Sequence, residues 1–449
     1  MVDVTEILSH FKANLSAFDL AGKNLRVAIS GGSDSVALLC LLKKALPNTE
    51  IKALHIDHGI RPESKKEAEF VKELCARFSI PLDIREVFVE KFTKQSTLGL
   101  EEAARNLRYC IFAEYTALSE IVATAHTAGD VIETMLFNLA RGSGPRGLSG
   151  IPISRDGIIR PLLNFWRRDL QKWLKSESID WIEDKSNLDL RFSRNRIRWM
   201  LIPEMRRVFG ESVVYRLRRE ADIFSSCSKF LDSSALKLFQ KARIIAFDQI
   251  LIIDSKIALE TQWGWGEILR LCSIELTNPI PSIDFANVSR LYKTAKASRM
   301  GRRYPVSGNL HIEVDGNLIF VFKEIPQIRE IEAFIDSRIE LQNGMGALNI
   351  SKNRPGTVVQ YDGKPLSIRP AQSGDEINSK RKLRRFLSKK GIPRLLRDTM
   401  PIVFSGETPI YAPIIGALKP EPALFSLFID YEGPLKNIFL NKRSINGKL

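Results

Sequence analysis

Residues 24–42 read NLRVAISGGSDSVALLCLL, and the fold is decided here. A β-rich run, Leu25 to Ile29, ends in Ser30-Gly31-Gly32-Ser33-Asp34-Ser35. An apolar stretch with Val36, Leu38, Leu39 and Leu42 at helical spacing follows at once. A tight Gly-rich turn therefore joins a buried strand to a helix N-terminus. Two glycines remove the Cβ atoms that would hold a ligand away from the backbone. The first amides of a helix lack intrahelical partners, and the helix dipole adds partial positive charge there. With the hydroxyls of Ser33 and Ser35, the turn is a cradle for a phosphate group.

The turn is not a Walker A loop, since no Gly, four residues, Gly, Lys, Ser/Thr run occurs in the chain. Instead a carboxylate, Asp34, sits inside the cradle. Carboxylate and phosphate repel unless a cation bridges them, so Asp34 implies Mg²⁺. A lone Ser-Asp before a helix is commonly only an N-cap. The complete string SGGSDS after a strand is far more specific, and it resembles the PP-loop of the N-type ATP pyrophosphatases, which split ATP into AMP and pyrophosphate.

Outward from the turn, strand-like runs at 25–30, 51–57, 82–89 and 121–125 alternate with helical runs at 35–46, 65–79, 100–119 and 130–141. Such alternation predicts a parallel sheet covered on both faces, with a site at the strand C-terminal ends. Helical signals dominate from there to about Ser234. Shorter mixed elements follow, including a hairpin at 310–324 with Asp315-Gly316 as its turn. A polar, Gly-containing stretch near 342–356 reads as a linker. Beyond it, short β-like runs surround a basic helix at 380–390. The expected division is a catalytic domain at 1–222, a small helical or mixed domain at 223–340 and a basic domain at 355–440. At 449 residues the chain is long enough for two to three domains, each with a real core.

A net charge of +15 asks for a polyanionic partner. Residues 191–219 hold nine arginines against Glu204 and Glu211, and residues 368–400 hold ten basic residues against three acids. A single charge run usually means a solvated face. Two concentrated runs beside a nucleotide cradle favour nucleic acid. The N-terminus lacks a signal-peptide h-region, and no 18-residue apolar run is present, so membrane attachment is not expected. Five scattered cysteines contain no C-x-x-C, and they point to a reducing cytoplasm rather than to a disulfide framework or zinc site.

Further motifs stand where the sheet would place them. Asp57 and His58, at the end of LHIDH, could reach a ribose hydroxyl or the adenine edge. In GLEEAARNLRYCIF (99–112), Glu102, Arg105 and Arg108 could share a helix face. Asp130 and Glu133, three apart after the turn at His126, share a face of one helix, where they would serve as caps, hold Mg²⁺ or orient an ammonium group. RGSGPRGLSG (141–150) has four glycines, Arg141 and Arg146, a composition suited to close approach to a phosphate backbone or to a mobile lid.

Taken together, SGGSDS, DHGIRPES, EEAARNLRY, TAHTAGDVIET, RGSGPRGLSGI, RPLL, EDKSNLDLRFSRNRIR with LIPEM, and IRPAQSGDEI…KLRRFLSKKGIPRLLRDTMPIV resemble the tRNA(Ile)-lysidine synthetase family, in order and over nearly the full length. The resemblance implies an α/β PP-loop catalytic domain (adenine nucleotide alpha hydrolase-like), a small mostly helical domain and a mixed α/β C-terminal tRNA-binding domain. It implies ATP and Mg²⁺ as cofactors, and L-lysine and a CAU-anticodon isoleucine tRNA as substrates. ATP would adenylate O2 of the wobble cytidine, and the lysine ε-amine would displace AMP. Asp34, Asp130 and Glu133 are the expected catalytic residues, with Asp34 as metal ligand. Ser30, Gly31, Gly32, Ser33, Asp34, Ser35, Asp57, His58 and Arg105 would bind ATP. Arg141, Arg146, Arg194, Arg196, Arg198, Lys382, Arg384 and Arg385 would meet RNA. One position departs from the family pattern: Gly129 stands where a first of two adjacent acids is usual. A homodimer is left open. A tRNA thiolase would use similar loops but would want paired or catalytic cysteines. A GMP- or NAD-synthetase-like ligase would not need two basic runs, and a non-enzymatic RNA-binding protein would not need Asp34 in a phosphate cradle.

Overall fold

The computed structural model describes the chain apart from residues 1–5, 21, 58–63, 88, 90–98, 184–188, 248, 279, 282, 298–300, 326–328, 343–344, 354–355, 378–380, 419–424 and 436–449. His58, Lys380, most of DHGIRPES and part of EDKSNLDLRFSRNRIR lie outside the described residues. The chain divides into two compact units, Met1–Phe230 and Leu231–Leu449.

In the first unit, the alternating runs form the expected parallel sheet. Its strands are β1 (Leu25–Ala28), β2 (Ile51–Asp57), β3 (Leu82–Glu86), β4 (Ile121–Ala123), β5 (Ser154–Arg155) and β6 (Ile158–Ile159). They lie in the order β3-β2-β1-β4-β6-β5. β1 pairs parallel with β2 and β4, and β4 with β6; only the short β5 runs antiparallel to its neighbour. Leu25, Val27, Ile51, Ala53 and Leu54 of the central strands are buried, as covering both faces of the sheet requires. Helices Ile7–Leu15, Ser33–Ala45, Ser64–Arg77 and Arg167–Ser176 bury one face around Val36, Leu39, Leu42 and Trp173. Helix Leu100–Ala117 covers the other with Ile111, Phe112 and Tyr115. Strand order reverses between β1 and β4, and at such a point the connecting helices leave in opposite senses and a crevice opens at the strand C-terminal ends.

The basic stretch after residue 190 is a helical run: Ser193–Arg196, a π-helical turn Ile197–Leu201 and Ile202–Phe209. A 30-residue helix, Val213–Ala242, follows, and the unit boundary falls within it.

The second unit begins with a five-stranded antiparallel sheet, on which Trp265, Ile268, Leu269 and Leu291 of helices Gln262–Leu276 and Phe285–Ala297 pack. The helical signals of this stretch are therefore laid against a sheet. The expected hairpin is present as Leu310–Asp315 paired with Leu318–Phe322. Its two-residue loop is Gly316-Asn317, one residue later than Asp315-Gly316, because Asp315 still pairs with Leu318 and glycine takes the first loop position at φ +63. The stretch 342–356, read as a linker, contains the strand Ala347–Ser351, whose Leu348 and Ile350 are buried in a four-stranded sheet. A second five-stranded sheet and a two-stranded pair, Glu376–Ile377 with Arg381–Lys382, also belong to the unit. The basic helix is shorter than read: Arg381–Lys382 form a short strand and only Leu383–Lys389 is helical.

Gly150 ties the Gly-rich loop to the crevice. Its φ is +73, and a Cβ there would lie 2.8 Å from Val131 Cγ1 and 2.9 Å from the Val131 carbonyl oxygen, next to Asp130. Gly150→Ala should therefore destabilise the protein by about 1–3 kcal/mol in urea unfolding. An unchanged midpoint would show that this approach carries no constraint.

Candidate active site

The turn after β1 takes its shape from glycine and two serines. Gly31 has φ +85, a conformation that other side chains adopt only with strain. Its carbonyl accepts the Ile182 N–H at 2.9 Å, which anchors the turn from a distant segment. Ser35 Oγ donates to the Gly32 carbonyl at 2.9 Å and accepts the Ser30 N–H at 3.2 Å. Gly32 is the N-cap of helix Ser33–Ala45, so the first helical amides face the crevice mouth. Gln171 donates to Ser33 Oγ at 3.4 Å.

Asp34 sits in the first turn of that helix, where a carboxylate suits the dipole. Arg167 holds it, with Nε 2.9 Å and an Nη 2.5 Å from Oδ2. Burial, with help from the nearby Asp130 charge, pushes the Asp34 carboxyl above its ordinary range against the pull of Arg167. Arg167 was not singled out by sequence. A signal existed: two arginines open helix Arg167–Ser176, where the dipole disfavours cations.

Across the crevice, β4 leads into helix Ala128–Ala140, capped by Thr127. Asp130 Oδ2 accepts the Thr127 N–H at 2.8 Å and its hydroxyl at 2.9 Å. Arg198 then bridges both acids. It gives Nε to Glu133 Oε1 at 2.5 Å and an Nη to Glu133 Oε2 at 2.9 Å and to Asp130 Oδ1 at 3.2 Å. Burial opposes the Asp130 charge, but His126, Arg198 and the Thr127 N–H together hold its carboxyl below the usual range. Glu133, 3% exposed, is raised by burial despite Arg198. Among the described residues, only Thr127 Oγ1, at 3.7 Å, would meet a Cβ at Gly129.

His126 lies between this pair and a group of arginines. Thr124 Oγ1 and His126 Nδ1 are 3.0 Å apart. Burial, reinforced by the Arg160, Arg194 and Arg108 charges and opposed by Asp130, lowers its pKa to about 4. The imidazole is therefore neutral at pH 7. Arg160 is buried, with its Nε lacking a hydrogen-bond partner among the described residues.

The sequence-predicted residues divide accordingly. Ser30, Gly31, Gly32, Ser33, Asp34 and Ser35 form one wall of the crevice, and Asp130 and Glu133 the other. Asp57 ends β2 and is partly buried. Arg105 is exposed and lies over the Tyr109 ring at 5.1 Å. Arg198, expected on the RNA face, instead reaches inward to the acids. Arg194 donates to Thr134 Oγ1 at 2.8 Å, and Arg196 to Ser193 Oγ at 3.0 Å. Arg141 is exposed over Phe137 and Arg146 is partly buried. In the second unit, Lys382 pairs with Glu376 at 2.8 Å and Arg384 with Asp398, while Arg385 is exposed.

A phosphate-cradling turn after β1 and a carboxylate-lined crevice at the strand reversal define a PP-loop nucleotide-binding domain, and residues 5–205 match the PP-loop domain family. Residues 366–420 match the TilS substrate C-terminal domain. The chain is 28% identical over 396 residues to the tRNA(Ile)-lysidine synthase of Thermotoga sp. (strain RQ2), covering 86% of this chain and 89% of that one. It is 33% identical over 296 residues to the Solibacter usitatus enzyme of that name (64% and 65% covered), and 28% identical over 466 residues to that of Actinobacillus succinogenes (94% and 100% covered). The chain belongs to the tRNA(Ile)-lysidine synthase family, ATP-dependent ligases that form a C–N bond. This favours lysidine synthesis over the thiolase alternative.

The neutral His126 has a consequence for pH. Its folded pKa lies below the ordinary value of 6.5, so between about pH 6.5 and 4 the unfolded chain binds the extra proton and acid weakens the fold. His126→Asn should flatten the loss of stability between about pH 7 and 5. A His126 ring that titrates near 6.5 by NMR would contradict its burial as a neutral group.

Proposed function

We propose that this enzyme adenylates O2 of the wobble cytidine in a CAU-anticodon isoleucine tRNA and then joins lysine to C2 through its ε-amine. The observation that carries the reading is the pair of Glu133, buried, and Asp130, partly buried, facing the phosphate-binding turn across one crevice. In the first step, cytidine O2 attacks the α-phosphorus of ATP and pyrophosphate leaves. The helix amides behind Gly32 offset charge on the phosphates. In the second step, the lysine ε-amine attacks C2 and AMP leaves with the O2 oxygen.

Lysine must lose a proton before it attacks. Glu133, its carboxyl raised by burial, suits that acceptor role, and Asp130, held ionised, suits the grip on the ammonium group. Arg198 occupies both carboxylates, as a guanidinium standing where an ammonium would bind. Lysine entry on this reading exchanges one cation for another.

Mg²⁺ fits the donor chemistry at Asp34. Its hard carboxylate oxygens face the crevice, and Mg²⁺ is often held by one or two carboxylates plus substrate phosphates. Arg167 would share that carboxylate or yield it. Bound there, the ion would neutralise charge on the departing pyrophosphate. Cys40, Cys75, Cys110, Cys227 and Cys272 are all free thiols, which supports a reducing, cytoplasmic setting.

The decisive experiment follows ATP-to-AMP conversion with lysine, glutamine or a sulfur donor, each with and without tRNA. Conversion should require both lysine and tRNA; turnover with a sulfur donor would overturn the reading. Asp34→Ala should abolish AMP formation and leave tRNA affinity within a few-fold, and near-normal turnover at limiting Mg²⁺ would remove its assigned role. Glu133→Gln should slow lysine transfer by roughly 10²–10⁴-fold, the usual scale of a lost general base, and adenylated tRNA should accumulate. Equal loss of both steps would make Glu133 structural.

A further inference from the structure

The second unit contains a cavity of about 220 Å³ where the end of the 310–322 hairpin meets the turn between helices Leu383–Lys389 and Arg394–Thr399. Gly301, Asp315, Ser388, Gly391, Arg394 and Arg397 line it. The carboxylates around it are engaged. Glu313, fully buried, accepts Arg303 Nε at 2.6 Å and the Leu395 N–H at 2.8 Å. Asp315 accepts the Arg394 N–H at 3.2 Å. Asp398 is shared by Arg303, at 2.9 Å, and Arg384.

Arg397 is different. Its Nε is buried without a hydrogen-bond partner among the described residues. Burial lowers its pKa, and the Arg384 and Arg394 charges add to that against Asp315 and Glu313. A buried guanidinium donor left unmade is costly, and one beside a second arginine asks for an anion. Its planar fork matches phosphoryl oxygens. Gly301 (φ +51) and Gly391 (φ +74) leave the cavity walls free of Cβ atoms, and Ser388 adds a hydroxyl donor.

We infer that this cavity binds a phosphoryl group, namely a backbone phosphate of the substrate RNA, through Arg397 and Arg394. The inference rests on the reading of the chain as a tRNA-modifying enzyme. It places the RNA contact in a formed cavity rather than on the charges of the preceding strand and helix, where Lys382 and Arg384 are already ion-paired and Arg381 lies over Phe386 at 4.7 Å.

The test uses the full-length protein and unmodified tRNA, with affinity measured at several salt concentrations between about 50 and 200 mM. Arg397→Gln should weaken binding about tenfold and lower the salt slope by about one unit, the signature of one lost phosphate contact. Inorganic phosphate should compete with tRNA on the wild type and lose that effect on the variant. Arg394→Gln, an exposed position that spares the fold, should act in the same direction. Unchanged affinity and slope in both variants would overturn the inference. Inorganic phosphate bound at Arg397 without any change in tRNA binding would also overturn it, by making the cavity a free-anion site. Failure of the wild type to turn over ATP with tRNA and lysine would defeat the proposed reaction, while the salt-slope comparison judges the cavity separately.

Discussion

Three carboxylates largely withdrawn from water in one crevice, Glu133 buried and Asp34 and Asp130 partly so, are the constraint on which the catalytic unit depends. Asp34 comes from the helix after β1, and Asp130 and Glu133 from the helix after β4, so the reversal of strand order brings them together. Taking such charges out of water costs several kcal/mol apiece unless cations accompany them. Arg167 and Arg198 are those cations. Each must be delivered by a segment remote in sequence, so the stretches around Leu163–Arg167 and Ser193–Phe209 are needed to complete the site. The N-terminal part of helix Val213–Ala242 packs on both: Val213, Val214 and Leu217 cluster with Trp166, Ile197, Ile202 and Met205. Arg218 also donates to the Leu163 carbonyl and to Asn164.

The two arginines are held differently. Arg167 opens a helix whose Leu170, Trp173 and Leu174 are buried in the main core, so its backbone is fixed by packing. Arg198 sits in a π-helical turn, and no residue of the helical run 193–209 is fully buried. One extra residue per turn there re-aims the side chains that follow, a device that recurs at functional sites. Trp199, Met200 and Leu201 beside it are exposed. Ion pairs to Glu133 and Asp130, more than core packing, therefore set where Arg198 rests, and such a group exchanges for another cation without disturbing the core.

Much of this was legible in the chain. Ser30 to Ser35 carried the turn, because glycine, serine and an N-terminal acid are required by local backbone chemistry alone. The alternation of strand and helix carried the parallel sheet, since period and turn residues are local signals. The strand Ala347–Ser351 was missed because a five-residue run among glycines and polar residues becomes a strand only when it pairs with the strand Phe425–Glu432. The hairpin turn was displaced by one residue, since pairing register and not composition decides which residues close it.

What local sequence determined is therefore the PP-loop turn, the helix-borne positions of Asp34, Asp130 and Glu133, and two regions of concentrated positive charge. Only the tertiary structure decided what the arginines, inside those regions and outside them, do. Arg167 lies 133 residues from Asp34, and Arg198 lies 65 from Glu133; both were drawn inward, while Arg385 stayed in solvent. An arginine reads the same in sequence whether it meets water, a phosphate or a buried carboxylate. The choice is made by desolvation, which depends on what the folded chain packs around it.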